Sequence, residues 1–177
     1  MSVTLRRATS EDVPFLVRLV HDDDIAPFLA AVRGAREEDV GREVTRSNDE
    51  PHAFGVYVIE VDGEPAGTVT WEVVNKRSRI ASVSGFALDG TYRGRGIGTE
   101  AARALQRHLI RALGFHRIQM EVYGFNERAL RHAERAGWIR EGVRRKAYWR
   151  NDEWVDGILF GLVEEDLDVV DDQRASR

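Results

Sequence analysis

Two runs in the middle of the chain are dominated by apolar, β-branched and aromatic positions, which favour strands. They cover Phe54 to Val61 and Ala66 to Val74, and the pair Asp62-Gly63 between them is typical of a tight hairpin turn. A third run of the same kind, Ile80 to Leu88, follows a turn around Asn75 to Arg79. The pattern predicts an antiparallel meander of three strands.

The first fifty residues show mainly helical periodicity. After a short strand predicted at Leu5 to Arg7, Thr9 or Ser10 is a suitable cap for a helix. A second helix is predicted around Glu37 to Arg46, and Pro51 ends it. The apolar stripe of the first helix consists of Val13, Leu16, Val17 and Val20.

Beyond the meander, apolar positions return at helical spacing, namely at Ile97, Ala101, Leu105, Leu109 and Ala112. Gly114 then supplies a C-terminal stop. A strand is predicted over Ile118 to Val122. Asn126 is a suitable cap for a helix over Glu127 to Ala136, which Gly137 ends.

Two closing strands are predicted, roughly at Gly142 to Trp149 and at Trp154 to Val163, and the turn Arg150-Asn151-Asp152 joins them. The resulting order of elements is β-α-α-β-β-β-α-β-α-β-β. A length of 177 residues with 42% hydrophobic content suits one globular core. We expect a single domain over residues 1–177, with a frayed tail at 171–177.

Composition narrows the function classes. No apolar run approaches the roughly 20 residues that a membrane-spanning helix needs, and residues 1–7 lack the apolar stretch of a secretory signal. We therefore expect a soluble, cytoplasmic protein without a membrane partner. The absence of cysteine excludes disulfides, thiolate metal sites and a cysteine nucleophile, and the histidines show no metal-ligand spacing, so no metal is expected. A net charge of -4 argues against nucleic acid as a partner.

The segment Arg93-Gly94-Arg95-Gly96-Ile97-Gly98, here called the glycine loop, lies where the third strand of the meander gives way to a helix. Backbone amides at the start of a helix have no intrahelical partners and, together with the helix dipole, attract anionic phosphate. Glycine leaves the backbone open to a phosphate and adopts conformations that other residues resist. The two arginines add positive charge, so the loop is predicted to bind an anion.

The spacing of the glycines separates this loop from other phosphate-binding motifs. It lacks the Gly-Lys-Ser/Thr ending of a Walker loop. Gly94-x-Gly96-x-Gly98 is one residue short of the G-x-G-x-x-G pattern, and it follows an antiparallel meander rather than the first strand of a parallel unit. A nucleotide-binding regulator and a glycine-rich turn without a ligand are the alternatives.

Two stretches of the chain resemble motifs of a known family. Tyr92 to Ala101 resembles the acyl-CoA signature of the GNAT superfamily of N-acetyltransferases, Arg/Gln-x-x-Gly-x-Gly/Ala, which Arg93, Gly96 and Gly98 match. The stretch from Phe125-Asn126 to Gly137-Trp138 resembles the second motif of that family, an Asn before a helix that ends in Gly-Phe.

The resemblance covers nearly the whole chain, from Leu5 to Leu162. In the tail, Glu141 to Arg145, Trp154 to Asp156 and Gly161-Leu162 are similar to the subgroup that acetylates N-termini of ribosomal proteins. Polyamine, amino-acid and antibiotic acetyltransferases share much of that tail, so the acceptor stays open. The resemblance implies the GNAT fold, of α/β (α+β) class, with a mixed central sheet of about six to seven strands and about four helices.

The resemblance also implies the reaction and its ligands. A primary amine, on a peptide N-terminus or a small molecule, attacks the thioester of acetyl-CoA without a covalent enzyme intermediate, and a homodimer is ordinary for the family. The strand residues 86–88 pair with the pantetheine arm, and Asn126 contacts CoA, with a plain helix cap as its alternative role. The residues implied in cofactor binding are Phe86, Ala87, Leu88, Arg93, Gly94, Arg95, Gly96, Ile97, Gly98, Thr99 and Asn126.

Direct transfer needs a base for the acceptor ammonium and an acid for the leaving thiolate. Glu72 and Glu121 are the candidate bases, because each lies on a predicted strand among apolar residues, although such a carboxylate often points to solvent. Many family members place a tyrosine four residues before the helix-ending glycine, and Ala133 holds that position here. Ser84 is a candidate substitute, and His132 is interpreted as a surface residue. The missing tyrosine keeps a CoA-binding sensor without efficient catalysis as the alternative function.

The acceptor site is expected in the least patterned segments of the chain, which are Ile25 to Glu50 and Arg144 to Asn151. Two acidic runs, His21 to Asp24 and Glu164 to Asp166, are interpreted as solvated surface. Recognition of a cationic acceptor is the alternative interpretation of these runs.

Overall fold

The structure is a computed structural model, and it describes residues 1–28 and 36–167. The expected frayed tail and part of the expected acceptor segment lie outside these residues. None of the helices in the described ranges is long and apolar enough to cross a membrane. The strands are β1 (Val3–Arg7), β2 (Phe54–Val61), β3 (Glu64–Asn75), β4 (Ile80–Leu88), β5 (Arg117–Tyr123), β6 (Ile139–Arg150) and β7 (Glu153–Val163). The helices are α1 (Val13–Val20), α2 (Glu37–Asp49), α3 (Ile97–Arg107) and α4 (Glu127–Arg135).

All seven strands belong to one sheet in the order β1-β2-β3-β4-β5-β7-β6. The pairs β1–β2, β2–β3, β5–β7 and β7–β6 are antiparallel, whereas β4 and β5 are parallel. The parallel pairing joins residues 80–82 of β4 to residues 117–119 of β5. The mixed sheet and the order of its elements confirm the predicted α/β (α+β) fold.

Contacts within the chain divide it into two compact units, and each is described by itself. The first unit consists of Met1–Val73 and Val83–Ala104, and the second of Val74–Ser82 and Leu105–Arg177. The boundaries between the two units fall inside β3, inside β4 and inside α3. The expected single domain stays a prediction.

The core of the first unit contains one face of each N-terminal helix and one face of β2. Phe15, Leu16 and Leu19 of α1 are buried together with Val44 of α2 and Val58 of β2. Burial of each large apolar side chain stabilises a fold by roughly 1.5–3 kcal/mol. This shared core holds α1 and α2 against the sheet.

Asp12 is a buried carboxylate directly before α1. It accepts hydrogen bonds from Arg6 Nη1 and Nη2 at 2.7 and 2.8 Å and from the backbone N of Thr9 at 2.8 Å. The bonds from Arg6, opposed by burial, lower the pKa of Asp12 to about 2. The carboxylate therefore stays ionised at neutral pH and joins β1 to the start of α1.

The core of the second unit is mainly apolar and also contains the buried amide of Gln106. The Nε2 of Gln106 donates to the carbonyl of Ala136 at 3.2 Å and so joins α3 to the end of α4. After α3 the chain makes a π-helical turn, His108–Ala112, and Gly114 follows it at a φ of +73°, as its predicted role as a stop requires. The fully buried apolar residues of this core include Leu105, Leu109, Ile118, Phe160 and Leu162.

Candidate active site

The glycine loop follows β4 through one short 3-10 turn, Gly90–Tyr92. Asp89 caps this turn, since its carboxylate accepts from the backbone N of Thr91 at 3.0 Å and from the Thr91 hydroxyl at 2.7 Å. The same bonds lower the pKa of Asp89. The cap fixes the direction in which the chain leaves β4 and enters the loop.

Gly94 and Gly96 adopt φ angles of +75° and +80°, in the left-handed region that favours glycine. Apart from the glycine itself and its two neighbours in the chain, no described heavy atom lies within 4 Å of the position that a Cβ would take at either residue. Glycine is therefore required here by the backbone conformation, and the space over the loop is open. Both glycines are exposed, whereas Ile97, directly after Gly96, is fully buried and anchors the start of α3.

The first turn of α3 provides backbone donors next to these glycines. The amides of Ile97, Gly98 and Thr99 have no carbonyl partner earlier in the helix. The first amide bonded in helical fashion is that of Glu100, which donates to the carbonyl of Gly96 at 3.1 Å. Together with the helix dipole, these donors make the loop suitable for an anionic group.

The two arginines of the glycine loop have different surroundings. Arg93 Nε donates to the carbonyl of Leu88 at 3.0 Å, and its Nη1 lies 3.2 Å from Oδ2 of Asp24. Its Nη2 is buried and has no hydrogen-bond partner among the described residues. Arg95 is exposed, and its Nη2 lies 3.8 Å from the sulfur of Met1. Arg93 therefore packs back against the end of β4, while Arg95 extends into solvent.

The second half of β4 holds the three residues implied in binding the pantetheine arm. Ala87 is buried, and Phe86 and Leu88 are half-buried. Directly before them, Gly85 has a φ of +60°, which interrupts regular strand geometry. Sequence reasoning missed Gly85. An isolated glycine inside a strand pattern is the signal that predicts such an irregularity.

Two of the candidate catalytic residues lie exposed in the first unit. Glu72 is on β3, where it pairs in register with Phe54 of β2, and Ser84 is on β4. An exposed carboxylate or hydroxyl keeps its water shell, which weakens the case for either as a proton-transfer group.

Glu121, on β5 of the second unit, has a more enclosed carboxylate, with 20% of its side chain exposed. Its Oε2 accepts from Arg144 Nη1 of β6 at 2.9 Å. Its carboxylate lies over Gly157 of β7, where a Cβ would come within 2.8 Å of the Glu121 Cδ and 2.9 Å of the Tyr148 ring. Burial, followed by the hydrogen bond with Glu121, raises the pKa of Tyr148 to about 12, so the phenol is protonated at neutral pH.

A family model described as the acetyltransferase (GNAT) family matches residues 17–138, which include the glycine loop and Asn126. The chain belongs to the GNAT acetyltransferase family. This membership confirms the predicted class of enzyme, an acyl-CoA-dependent N-acetyltransferase, and nothing in the comparisons favours the CoA-binding sensor.

Curated relatives of this GNAT chain are bacterial N-acetyltransferases. The chain is 26% identical over 169 residues to the SPbeta prophage-derived uncharacterized N-acetyltransferase YokL of Bacillus subtilis, a match that covers 95% of this chain and 93% of the relative. It is 26% identical over 130 residues to the ribosomal-protein-serine acetyltransferase of Escherichia coli, with 72% of each chain covered.

Solved structures share the GNAT fold at low sequence identity. The ribosomal L7/L12 alpha-N-protein acetyltransferase RimL in complex with coenzyme A superposes with a TM-score of 0.82 at 21% identity, over 92% of this chain and 94% of that one. Spermidine N-acetyltransferase from Vibrio cholerae, in complex with CoA and spermine, gives 0.82 at 18% identity, over 93% and 97%. These likenesses show the fold.

The helix α4 carries the second GNAT motif, and the structure confirms the prediction for Asn126 and corrects that for His132. Asn126 caps α4, since its side chain accepts from the backbone N of Ala129 at 3.1 Å. His132 is half-buried, so its interpretation as a surface residue is wrong. His132 lies four residues before the buried Ala136, about 40° away around the helix, and therefore borders the buried stripe. Ala133, at the usual tyrosine position, is fully buried.

The predicted site residues of this GNAT chain divide between the two units. The first unit contains Glu72, Ser84, residues 86–88 and residues 93–99, and the second contains Glu121 and Asn126. Contact of Asn126 with the cofactor stays a prediction, as do the roles of the three candidate catalytic residues.

Proposed function

We propose that this GNAT chain transfers the acetyl group of acetyl-CoA to a primary amine, with the glycine loop binding the pyrophosphate. The observation that carries the proposal is the loop itself. Gly94 and Gly96 hold left-handed φ angles in open space directly before the first-turn amides of α3, which have no carbonyl partner within the helix. The CoA bound in two of the similar structures supports the choice of cofactor.

The second half of β4 is proposed to bind the pantetheine arm. The φ of +60° at Gly85 interrupts regular strand geometry directly before these residues, and such an irregularity is a means of presenting backbone groups to an extended ligand. Phe86 and Leu88, both half-buried, then flank the arm with apolar surface.

In the proposed reaction the acceptor nitrogen attacks the thioester carbon, the carbon–sulfur bond breaks, and CoA leaves as a thiol. The ammonium form of the acceptor must first lose a proton, and the leaving thiolate gains one. No enzyme nucleophile is required, which suits a chain without cysteine. We favour Glu121 over Glu72 as the base, because only the Glu121 carboxylate is enclosed and held in place by a neighbouring strand.

The acceptor is proposed to be an amine of a peptide N-terminus or a small molecule. Named relatives of the chain include a ribosomal-protein-serine acetyltransferase, an L-amino acid N-acetyltransferase and a spermidine N(1)-acetyltransferase, all of Escherichia coli. All three names fit direct acetylation of an amine or N-terminus, and they support the class of acceptor rather than one compound.

Substitution of Gly96 by Leu tests whether the glycine loop binds the pyrophosphate. The change places a side chain in the space proposed for the pyrophosphate and strains a left-handed backbone, so we expect acetyl-CoA affinity to fall at least tenfold in calorimetry. Gly63→Leu is the matched control, since Gly63 has a φ of +87° and lies in the β2–β3 turn. Apart from Gly63 and its two chain neighbours, no described heavy atom lies within 4 Å of its Cβ position. The control shares the backbone strain, about 1–2 kcal/mol, and should bind as the wild type does. Equal affinity of Gly96→Leu and Gly63→Leu for acetyl-CoA would disprove pyrophosphate binding by the glycine loop.

A further inference from the structure

Arg93 is the more enclosed of the two arginines in the glycine loop. With 21% of its side chain exposed, it uses Nε to hold the carbonyl of Leu88, the last residue of β4. Its Nη2 remains buried without a hydrogen-bond partner among the described residues. A buried guanidinium nitrogen without an acceptor is costly, so an anion that reached Nη2 through a movement of the Arg93 side chain would remove this cost.

The remaining terminal nitrogen of Arg93 faces a carboxylate from a distant part of the chain. Its Nη1 lies 3.2 Å from Oδ2 of Asp24, in the turn that follows α1. This turn is ordered by its own contacts, because the Oδ1 of Asp22 accepts from the backbone N of Asp24 at 2.8 Å and Ile25 is buried. The Asp24 side chain is nevertheless 77% exposed. The ion pair is therefore near the surface at its acidic end and buried at its basic end.

The first unit contains more acidic than basic residues, so the pairing of Arg93 with Asp24 affects how strongly the unit attracts an anionic ligand. The unit contains 10 Lys and Arg residues against 17 Asp and Glu residues, so a polyanion meets a negative surface overall. Arg93 and Arg95 are the two loop cations that offset it. Asp24 neutralises one of these two.

We propose that Asp24 is an internal counter-ion that competes with the phosphates of the cofactor for Arg93. The inference rests on the proposed function, since it takes the glycine loop as the cofactor site. A phosphate offers several acceptor oxygens and binds a guanidinium through two parallel charge-assisted bonds, whereas the observed bond between Arg93 and Asp24 joins Nη1 to Oδ2 at 3.2 Å. The unpartnered Nη2 would complete the second of those bonds. Cofactor binding therefore displaces an exposed carboxylate and satisfies a buried donor.

Asp24→Asn tests the proposal, with Asp23→Asn as the matched control. Asp23 is exposed and adjacent in sequence, so its replacement removes the same formal charge without altering the Arg93 contact. Full-length protein is titrated with CoA by calorimetry, and thermal unfolding is followed for each variant. Because the Asp24 carboxylate is 77% exposed, its ion pair with Arg93 is weak and its removal raises CoA affinity only modestly. We therefore expect Asp24→Asn to bind CoA about two- to fivefold more tightly than Asp23→Asn. Asp24→Ser serves as a second variant if the first is unstable.

The arginine partner supplies the decisive comparison. In an Arg93→Ala background, replacing Asp24 by Asn should no longer change CoA affinity beyond the effect of Asp23→Asn, because the guanidinium for which Asp24 competes is absent. Equal affinities of the Asp24 and Asp23 variants in the wild-type background, or weaker binding by Asp24→Asn, would overturn the competition. Absence of CoA binding by the wild type is a different result, which would overturn the proposed function instead.

Discussion

Asn126 has one observed role and one predicted role. It caps α4 through its side-chain oxygen, which leaves its amide nitrogen available to another group. The resemblance to GNAT enzymes implies that Asn126 also contacts CoA. The two roles use different atoms of the same side chain, so substitution can separate them.

Asn126→Ser keeps a capping oxygen but loses the amide donors, whereas Asn126→Ala loses both. We expect Ala to lower the free energy of unfolding by about 1 kcal/mol and Ser to lower it by much less. If the amide contacts CoA, both variants should bind CoA more weakly than the wild type by a similar factor in calorimetry. Wild-type affinity in the Ser variant would restrict Asn126 to its role as a cap.

Other features at the scale of single residues depend on distant parts of the chain, and the sequence does not reveal them. Arg93 and Asp24 are 69 positions apart, so no local pattern predicts their contact. The exposure of Glu72 and the enclosure of Glu121 likewise follow from neighbouring strands, although both residues show the same local pattern. By contrast, the left-handed conformation of Gly94 and Gly96 agrees with what their residue type allows.

At the scale of elements, local periodicity predicted most of the secondary structure. β2 and β4 occupy their predicted ranges, because the apolar runs and the turn residues beside them are local signals. The start of β6 depends on tertiary pairing, because β6 begins at Ile139 rather than Gly142 and Ile139 pairs with Gly161 of β7. The helix α2 also differs from its predicted range, since it continues to Asp49 rather than Arg46.

The enclosure of Glu121 is a property of three adjacent strands, β5, β7 and β6. The absence of a side chain at Gly157 of β7 leaves room for its carboxylate, and Arg144 of β6 binds it from the next strand. Gly161 has a similar role further along β7, where a Cβ would collide with the ion pair of Arg117 and Glu141. Glycines on β7 thus make space for charged pairs between strands.

Gly157→Ala should therefore displace Glu121. If Glu121 is the base, kcat of Gly157→Ala should fall tenfold or more, and that of Glu121→Gln about a hundredfold, with little change in CoA affinity. Gly142→Ala on β6 is the control, since its Cβ would make an ordinary contact of 4.0 Å with Leu159. The kcat of each variant is measured by steady-state kinetics at a saturating concentration of the acceptor. Wild-type kcat in both the Gly157 and Glu121 variants would exclude Glu121 as the base.

At the scale of the whole molecule, the order of the strands could not be derived from periodicity alone. β5 lies between β4 and β7, and β7 lies between β5 and β6, so neighbours in the sheet are not always neighbours in sequence. The predicted α/β (α+β) fold with its mixed sheet came from the resemblance to GNAT enzymes and is confirmed. The predicted homodimer stays a prediction.

The central claim is that the chain transfers acetyl from acetyl-CoA to an amine through its glycine loop. The most direct test incubates the full-length protein with acetyl-CoA and a panel of peptides with free N-termini, amino acids and polyamines, and measures both released thiol and the acetylated acceptor by mass. We predict that at least one amine yields thiol and acetylated product in equal amounts, and that Gly96→Leu abolishes both. CoA binding without acetylated product from any acceptor would contradict the claim and favour a cofactor sensor.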